Sequence, residues 1–146
     1  MRSAIWDFNR EMVFGECGAL LMANLAAVAV SHCTRNASAI SCAAILGTLI
    51  GGSLFWLAAR VYDQVTGQRF TAKRLAGDIS CFTPAAFALS LLVYDPAIFL
   101  ISRRLLNLGA QVELSVIVAQ IVAFLLFLLG MNGYRSLLLK ATGKCL

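Results

Sequence analysis

Four long apolar stretches, separated by short polar segments, dominate the pattern of this chain. Each holds about 20 residues and almost no charge, which is the length that an α-helix needs to cross a bilayer. They run over residues 12–31, 39–59, 79–101 and 112–131. The pattern therefore predicts an all-α, polytopic membrane protein, with one transmembrane domain over residues 1–146 built as a bundle of four transmembrane helices.

The composition favours a membrane environment over an aqueous one. Of the 146 residues, 60% are hydrophobic and 13% are charged, and the mean hydropathy is +0.83. Soluble domains carry about 25% charged residues, and the four apolar stretches leave little chain for a soluble domain. We therefore expect the lipid bilayer to be the main partner of this protein.

Basic residues are distributed unevenly between the two ends of the predicted helices. Nine lie at the end that holds both termini, namely Arg2, Arg10, Arg60, Arg69, Lys73, Arg74, Arg135, Lys140 and Lys144. Arg35, Arg103 and Arg104 lie at the other end, in loops expected near 32–38 and 102–111. Cytoplasmic segments are enriched in Lys and Arg, so we expect a multi-pass integral membrane protein with both termini in the cytoplasm. The net charge of +5 then reflects orientation, and binding to nucleic acid is not expected.

Small residues occupy every fourth position of the second span from Ala39 to Gly51. Within a membrane, helices associate by close van der Waals packing, and small residues four apart let two backbones approach. We predict that Ala43, Gly47 and Gly51 pack against a neighbouring helix. That neighbour belongs either to the same chain or, in a homodimer or larger membrane complex, to another one.

Two prolines frame the third span. Pro84 lies near its first turn, where a missing N–H group disrupts little. Pro96 removes a backbone hydrogen bond near the expected membrane exit, so we predict that the helix kinks there or ends and restarts as a short interfacial segment over 97–108. Tyr94 is then expected in the belt of aromatic residues at the membrane surface.

Polar residues within apolar spans are costly and often functional. Glu16 and Asn24 lie in the first span, eight residues apart and close to one helical face, and Gln120 lies in the fourth. These three are the candidates for contact with a substrate or a proton. Structural roles compete with this interpretation: Glu16 pairing with Arg10 or reaching the membrane edge, and the two amides making interhelical hydrogen bonds.

The sequence lacks the residue patterns that catalysis or cofactor binding requires. We find no nucleophile beside a base, no phosphate-binding glycine loop and no cluster with metal-ligand spacing, so we expect neither an enzyme nor a cofactor or metal. Five cysteines are present without a C-x-x-C motif. Cys33 and Cys42 flank the first outer loop and are candidates for a disulfide if that compartment is oxidising.

The two halves of the chain share an outline that resembles a known family. Each half has a basic residue before a span, a short outer loop and a returning span that ends in Arg60 or Arg135, so the bundle also fits two parallel helical hairpins. R-x-x-x-x-G at 10–15, the amide of Asn24 and MNGYR at 131–135 resemble the GtrA-like family of small four-span membrane proteins. The second span departs from the family pattern because it ends in Ala-Ala-Arg instead of Asn-Arg.

The resemblance implies a role in moving polyprenyl-phosphate-linked sugars across a membrane for cell-surface glycosylation, with a lipid-linked sugar as partner. Arg10, Arg74 and Arg135 are then the candidates for charge-assisted hydrogen bonds to the phosphate head group. Two alternatives stay open. One is a non-catalytic accessory subunit of a larger membrane complex, and the other is a proton-coupled exporter of small cationic drugs that uses Glu16.

Overall fold

The prediction of an all-α fold is confirmed. The computed structural model describes residues 4–67 and 71–142, apart from the side chains of residues 4, 5, 7, 72, 74, 78, 81, 82, 139, 141 and 142. Its elements are α1 (Ala4–Ser31), α2 (Ala37–Thr66), α3 (Ala72–Leu89), a π-helical segment (Ser90–Tyr94), α4 (Asp95–Asn107) and α5 (Val112–Thr142). Every regular element in these residues is a helix.

Four helical stretches are long and apolar enough to cross a membrane: Phe8–Ser31, Ala37–Thr66, Thr83–Asn107 and Val112–Leu138. Their number agrees with the predicted four-span membrane protein. The helices of the second and fourth spans run beyond the predicted limits, to Thr66 and Thr142, because backbone hydrogen bonding continues past the apolar stretch into polar residues. The third span lies at 83–107 instead of the predicted 79–101.

Of the two outcomes predicted at Pro96, a kink or a break, the break does not occur, because the helix continues through Pro96. Proline has no N–H group to donate, and its ring clashes with the carbonyl four residues earlier. The chain accommodates it with a π-helical turn, in which the Asp95 N–H donates to the Ser90 carbonyl five residues back. α4 then continues inside the bundle, where Ile98 and Ser102 are fully buried. The predicted interfacial segment is therefore wrong.

The two loops opposite the termini are short. The first spans 32–36, close to the expected loop, and the second spans 108–111. The second loop is shorter than the expected 102–111 because α4 extends to Asn107. Gly109 turns the chain there with a φ of +83°, a backbone conformation that glycine adopts without strain.

The closest helix contact joins α1 to α2 and places backbone against backbone. A Cβ added to Gly51 would collide with the carbonyl of Gly18, and one added to Gly47 would lie 2.7 Å from the carbonyl carbon of Met22. Ala23 of α1 is fully buried in the same region. The small stripe of α2 thus lies against α1 of the same chain.

The remaining helices close the bundle around a core near the two loops. That core holds Ala23, Ala27, Ile40, Ala44, Tyr94, Ile98, Val116 and Ala123. Polar bridges join helix pairs within the bundle: the Ser102 hydroxyl donates to Ser41 at 2.8 Å, and the Gln120 amide donates to Thr48 at 2.9 Å. Interhelical hydrogen bonds of this kind stabilise helix association in lipid, so α2 is fixed to both α4 and α5.

Two ion pairs join α1 to α2 at the end that holds both termini, which we call the terminal end. The Arg60 guanidinium donates to both carboxylate oxygens of Glu11, at 2.8 and 3.1 Å, and Arg10 lies 2.5 Å from Asp63. Glu11 is 4% exposed, whereas the Arg10 and Asp63 side chains are 37% and 26% exposed. Because water screens exposed ion pairs, the Glu11 pair fixes the helix register more strongly.

Adjacent glycines on α2 provide a matched test of the α1–α2 contact. Gly51→Ala should lower the free energy of unfolding by about 1–3 kcal/mol, because the added methyl group has no space against Gly18. Gly52→Ala should change it by at most about 1 kcal/mol, since its methyl group would lie 3.6 Å from the Ala19 Cβ. The measurement is reversible unfolding in mixed detergent micelles. Equal effects of the two substitutions would show that the helices do not meet at this face.

The two ion pairs predict unequal costs of neutralising their carboxylates. Glu11→Gln should lower the free energy of unfolding by about 3 kcal/mol, because it removes the carboxylate charge that faces Arg60 in a buried setting. Asp63→Asn should cost about 1 kcal/mol or less, as expected for a partly exposed pair. The same unfolding assay measures both variants. A larger cost for Asp63→Asn than for Glu11→Gln would contradict this ranking.

Candidate intramembrane site

A cavity of about 400 Å³ lies within the bundle between α1, α2, α3 and α5. Its walls are mainly apolar, formed by Met12, Gly15, Ala19, Leu49, Gly52, Trp56, Leu57, Ile79, Ala86, Phe87, Phe124 and Phe127. The polar part of the lining consists of Glu16, Thr48, Ser53, Thr83, Ser90 and Tyr94. A cavity of this size and lining suits one small hydrophobic molecule.

Helical periodicity directs the α1 side chains of this lining to one place. Met12, Gly15, Glu16 and Ala19 follow the i, i+3, i+4, i+7 spacing of a single helix face. Gly15 lets α1 approach α2 closely, since a Cβ at this position would lie 3.3 Å from the Cβ of Trp56. Glu16 is thus a charged residue on an otherwise apolar helix face.

Glu16 meets Tyr94 in the wall of the cavity. The Tyr94 hydroxyl donates to Oε2 of Glu16 at 2.7 Å. The other carboxylate oxygen, Oε1, is buried and has no hydrogen-bond partner among the described residues. The alternative that paired Glu16 with Arg10 does not hold, since Arg10 pairs with Asp63. The carboxylate therefore retains one free acceptor oxygen for a cationic or hydrogen-bond-donating ligand.

The π-helical segment positions Tyr94, which is its last residue. The side chain is 5% exposed, and its ring makes an edge-to-face contact with Phe127 at 5.5 Å between centroids. Tyr94 lies about midway along the candidate span Thr83–Asn107. Its expected place in the aromatic belt at the membrane surface is therefore wrong, because the wider π turn changes the helix phase and directs the ring into the bundle.

The two other substrate or proton candidates do not line this cavity. Gln120 is fully buried and donates to Thr48, which does line it, so Gln120 supports the wall from behind. Asn24 donates to the Leu20 carbonyl at 2.8 Å and lines a separate groove formed by α1 and one residue of α5. The structure therefore does not bring Asn24 together with Glu16, although both lie on α1.

The three arginines considered for a phosphate head group do not converge. Arg10 pairs with Asp63 at the terminal end. Arg135 is 7% exposed and lies over the Phe8 ring, with its guanidinium carbon 5.7 Å from the ring centroid. The side chain of Arg74 lies outside the described residues. Among the side chains that the structure describes, no cluster of arginines faces the cavity.

Other candidate chemistry is sparse in residues 4–67 and 71–142. They contain no group of three or more His, Cys, Asp or Glu side chains that could hold a metal ion. Cys33 and Cys42 are free thiols, so the disulfide considered from the sequence is not formed. Asp95 is 8% exposed and accepts a hydrogen bond from Ser90 at 3.2 Å. Asp95 thus lies inside the bundle, about midway along the candidate span Thr83–Asn107.

The sequence analysis named Glu16, which lines the cavity, but it did not predict that aromatic residues line the same cavity. Tyr94, Trp56 and Phe127 all line the cavity, yet aromatic residues in apolar spans face lipid as readily as protein. The one available signal was Pro96, which follows Tyr94 and Asp95. A proline within a helix disturbs the local hydrogen bonding, a π turn is one way to accommodate it, and such turns occur often at functional sites. A sequence pattern alone does not show whether such a turn forms.

The geometry of this site is the main guide to function, because no protein-family model, curated protein or solved structure matches the chain. The GtrA-like resemblance stays a prediction that rests on residues 10–15, Asn24 and residues 131–135. The chain itself offers a buried carboxylate with one free oxygen, set in an apolar and aromatic cavity within its candidate membrane spans.

Proposed function

We propose that this protein binds hydrophobic molecules carrying one cationic group in the Glu16 cavity and moves them across the membrane in exchange for protons. The observation that carries the proposal is the buried Oε1 of Glu16, which lies in the wall of an aromatic cavity and has no hydrogen-bond partner among the residues that the structure describes. This is the exporter class among those considered from the sequence. We also propose cytoplasmic termini, from nine Lys and Arg residues at that end against three at the other.

The energetics of the carboxylate favour a cationic ligand. An ionised carboxylate in an apolar setting is costly unless a cation, a proton or several hydrogen bonds compensate it. Tyr94 supplies one hydrogen bond to Glu16, so a cationic group beside Oε1 would supply the missing compensation. The faces of aromatic side chains such as Trp56 and Phe87 attract cations further.

Competition between a proton and a cation gives this site a means of exchange. One carboxylate oxygen cannot hold both ligands at once, so protonation of Glu16 releases a bound cation and binding of a cation displaces the proton. Transport then requires that the cavity opens alternately to the two sides of the membrane. The proposal therefore expects acidification to weaken binding of a permanently charged cation.

Translocation of polyprenyl-phosphate-linked sugars receives less support from this site. A phosphate group requires cationic or N–H donors, whereas Glu16 is the charged residue among the described residues that line the cavity. A sugar requires several polar partners, because buried hydroxyl groups without hydrogen bonds are costly, and the cavity wall is mainly apolar. Arg10, one of the head-group candidates, already has Asp63 as its partner.

A purely structural subunit also receives less support. It would explain exposed apolar side chains such as Leu92 and Leu129, which are 77% and 71% exposed, but contact with lipid explains them equally well. A structural subunit has no need of a carboxylate in an intramembrane cavity, and such a group is costly to keep. A stoichiometric larger partner recovered after mild detergent extraction would favour the subunit over the transporter.

Glu16→Gln should remove cation binding and leave the fold intact. Glutamine has nearly the same shape and still accepts a hydrogen bond from Tyr94, but it carries no charge. The affinity for tetraphenylphosphonium should therefore fall at least tenfold, or by about 1.4 kcal/mol or more. Quenching of Trp56 fluorescence in detergent-solubilised protein measures it, with Trp6 replaced by Phe so that one of the two tryptophans reports.

Glu113→Gln is the matched control, because Glu113 is an exposed carboxylate in the first turn of α5 and does not line the cavity. It should bind tetraphenylphosphonium as the unsubstituted protein does. In reconstituted vesicles, an imposed proton gradient should drive uptake of the cation by the control and not by Glu16→Gln. Equal binding and uptake by the two variants would refute the proposed function.

A further inference from the structure

Arg135 is a buried arginine with no ionic partner among the described side chains. It lies on α5 near the terminal end and is 7% exposed. Its Nε is buried and has no hydrogen-bond partner in the part of the chain that the structure describes. Among the side chains that the structure describes, its guanidinium forms no salt bridge, although the same criterion finds the pairs Arg10–Asp63 and Arg60–Glu11. Arg135 thus differs from both arginines on the neighbouring helices.

The surroundings of Arg135 cover nearly all of its surface but provide no anionic group among the described side chains. The guanidinium carbon lies 5.7 Å from the centroid of the Phe8 ring, and Met131, one helical turn away, is fully buried. Nearby, the side-chain amide of Asn132 donates to Oδ1 of Asn9 at 3.1 Å, so these two amides hydrogen-bond to each other. An aromatic face attracts the guanidinium but accepts little from the N–H donors at its edge.

A buried cation of this kind requires an anion. The cost of an uncompensated buried charge is several kcal/mol in order of magnitude, and a guanidinium pairs best with planar or tetrahedral oxyanions through parallel N–H donors. Arg135 lies three residues before the end of the candidate span Val112–Leu138, and the end of a membrane span is where we expect lipid head groups. Phe8 lies one turn after the start of α1 at Ala4, so the positive end of the α1 dipole is close.

We propose that Arg135 binds the phosphate of an anionic ligand at the terminal end, supplied either by a phospholipid head group or by free phosphate. The site goes beyond the proposed transport function, and Arg135 is not among the residues that line the Glu16 cavity. The lipid would then act as a bound component of the protein instead of a transported molecule.

Native mass spectrometry of the full-length protein, with added lipid or inorganic phosphate, tests the site. Phosphatidylglycerol should bind the unsubstituted protein at least tenfold more tightly than phosphatidylcholine, and Arg135→Gln should remove that preference. Arg135→Lys should retain part of it, because lysine keeps the charge but loses the paired donors. Retention of inorganic phosphate without a preference for phosphatidylglycerol would assign the ligand to free phosphate.

Arg103→Gln is the matched control for this experiment. Arg103 lies over Phe99 with nearly the same geometry, 5.8 Å from the ring centroid, but it is exposed and lies at the opposite end of the bundle. It should bind phosphatidylglycerol as the unsubstituted protein does. If Arg135→Gln does not fold, the preference for phosphatidylglycerol over phosphatidylcholine is compared between the unsubstituted protein and Arg135→Lys. Absence of both lipid preference and phosphate retention in the unsubstituted protein, or equal loss in Arg103→Gln, would overturn the proposal.

Discussion

The contact between the backbones of α1 and α2 is the constraint on which the rest of this structure depends. Gly51 meets the carbonyl of Gly18, and neither position has space for a side chain on the shared face. Lipid provides no hydrophobic force between helices, so this close approach is what van der Waals packing requires. The same register brings Arg60 to Glu11 and places Glu16 at the boundary between packed helix and open cavity.

The π turn before Pro96 is the second feature that forms the site, after the contact between α1 and α2. A proline in mid-helix removes one hydrogen bond and crowds a carbonyl, and this chain absorbs both effects in one wide turn. The turn directs Tyr94 toward Glu16 without ending the span. The carboxylate therefore acquires a hydrogen-bond donor from a residue 78 positions away, and its second oxygen remains available to a ligand.

The sequence predicted those features that depend on local pattern. Apolar stretches of membrane-spanning length gave the four helices, and the spacing of Gly47 and Gly51 indicated a close contact. The identity of the neighbour, the ion pairs and the position of Tyr94 depend on which helices meet, and no local pattern encodes that. The predicted break at Pro96 was wrong for the same reason, because a helix held by neighbours on both sides rearranges its hydrogen bonds more readily than it breaks.

The proposed function requires Glu16 to be a cation-exchanging carboxylate inside an apolar cavity. Labelling of the purified protein with a hydrophobic carbodiimide, which reacts with protonated carboxyl groups, tests it directly when the modified residues are located by mass spectrometry. We expect that Glu16 is modified, that tetraphenylphosphonium protects it, and that Glu11, held by Arg60, reacts far less. Failure of Glu16 to react, or equal labelling with and without the cation, would show that Glu16 does not exchange a proton for a cation.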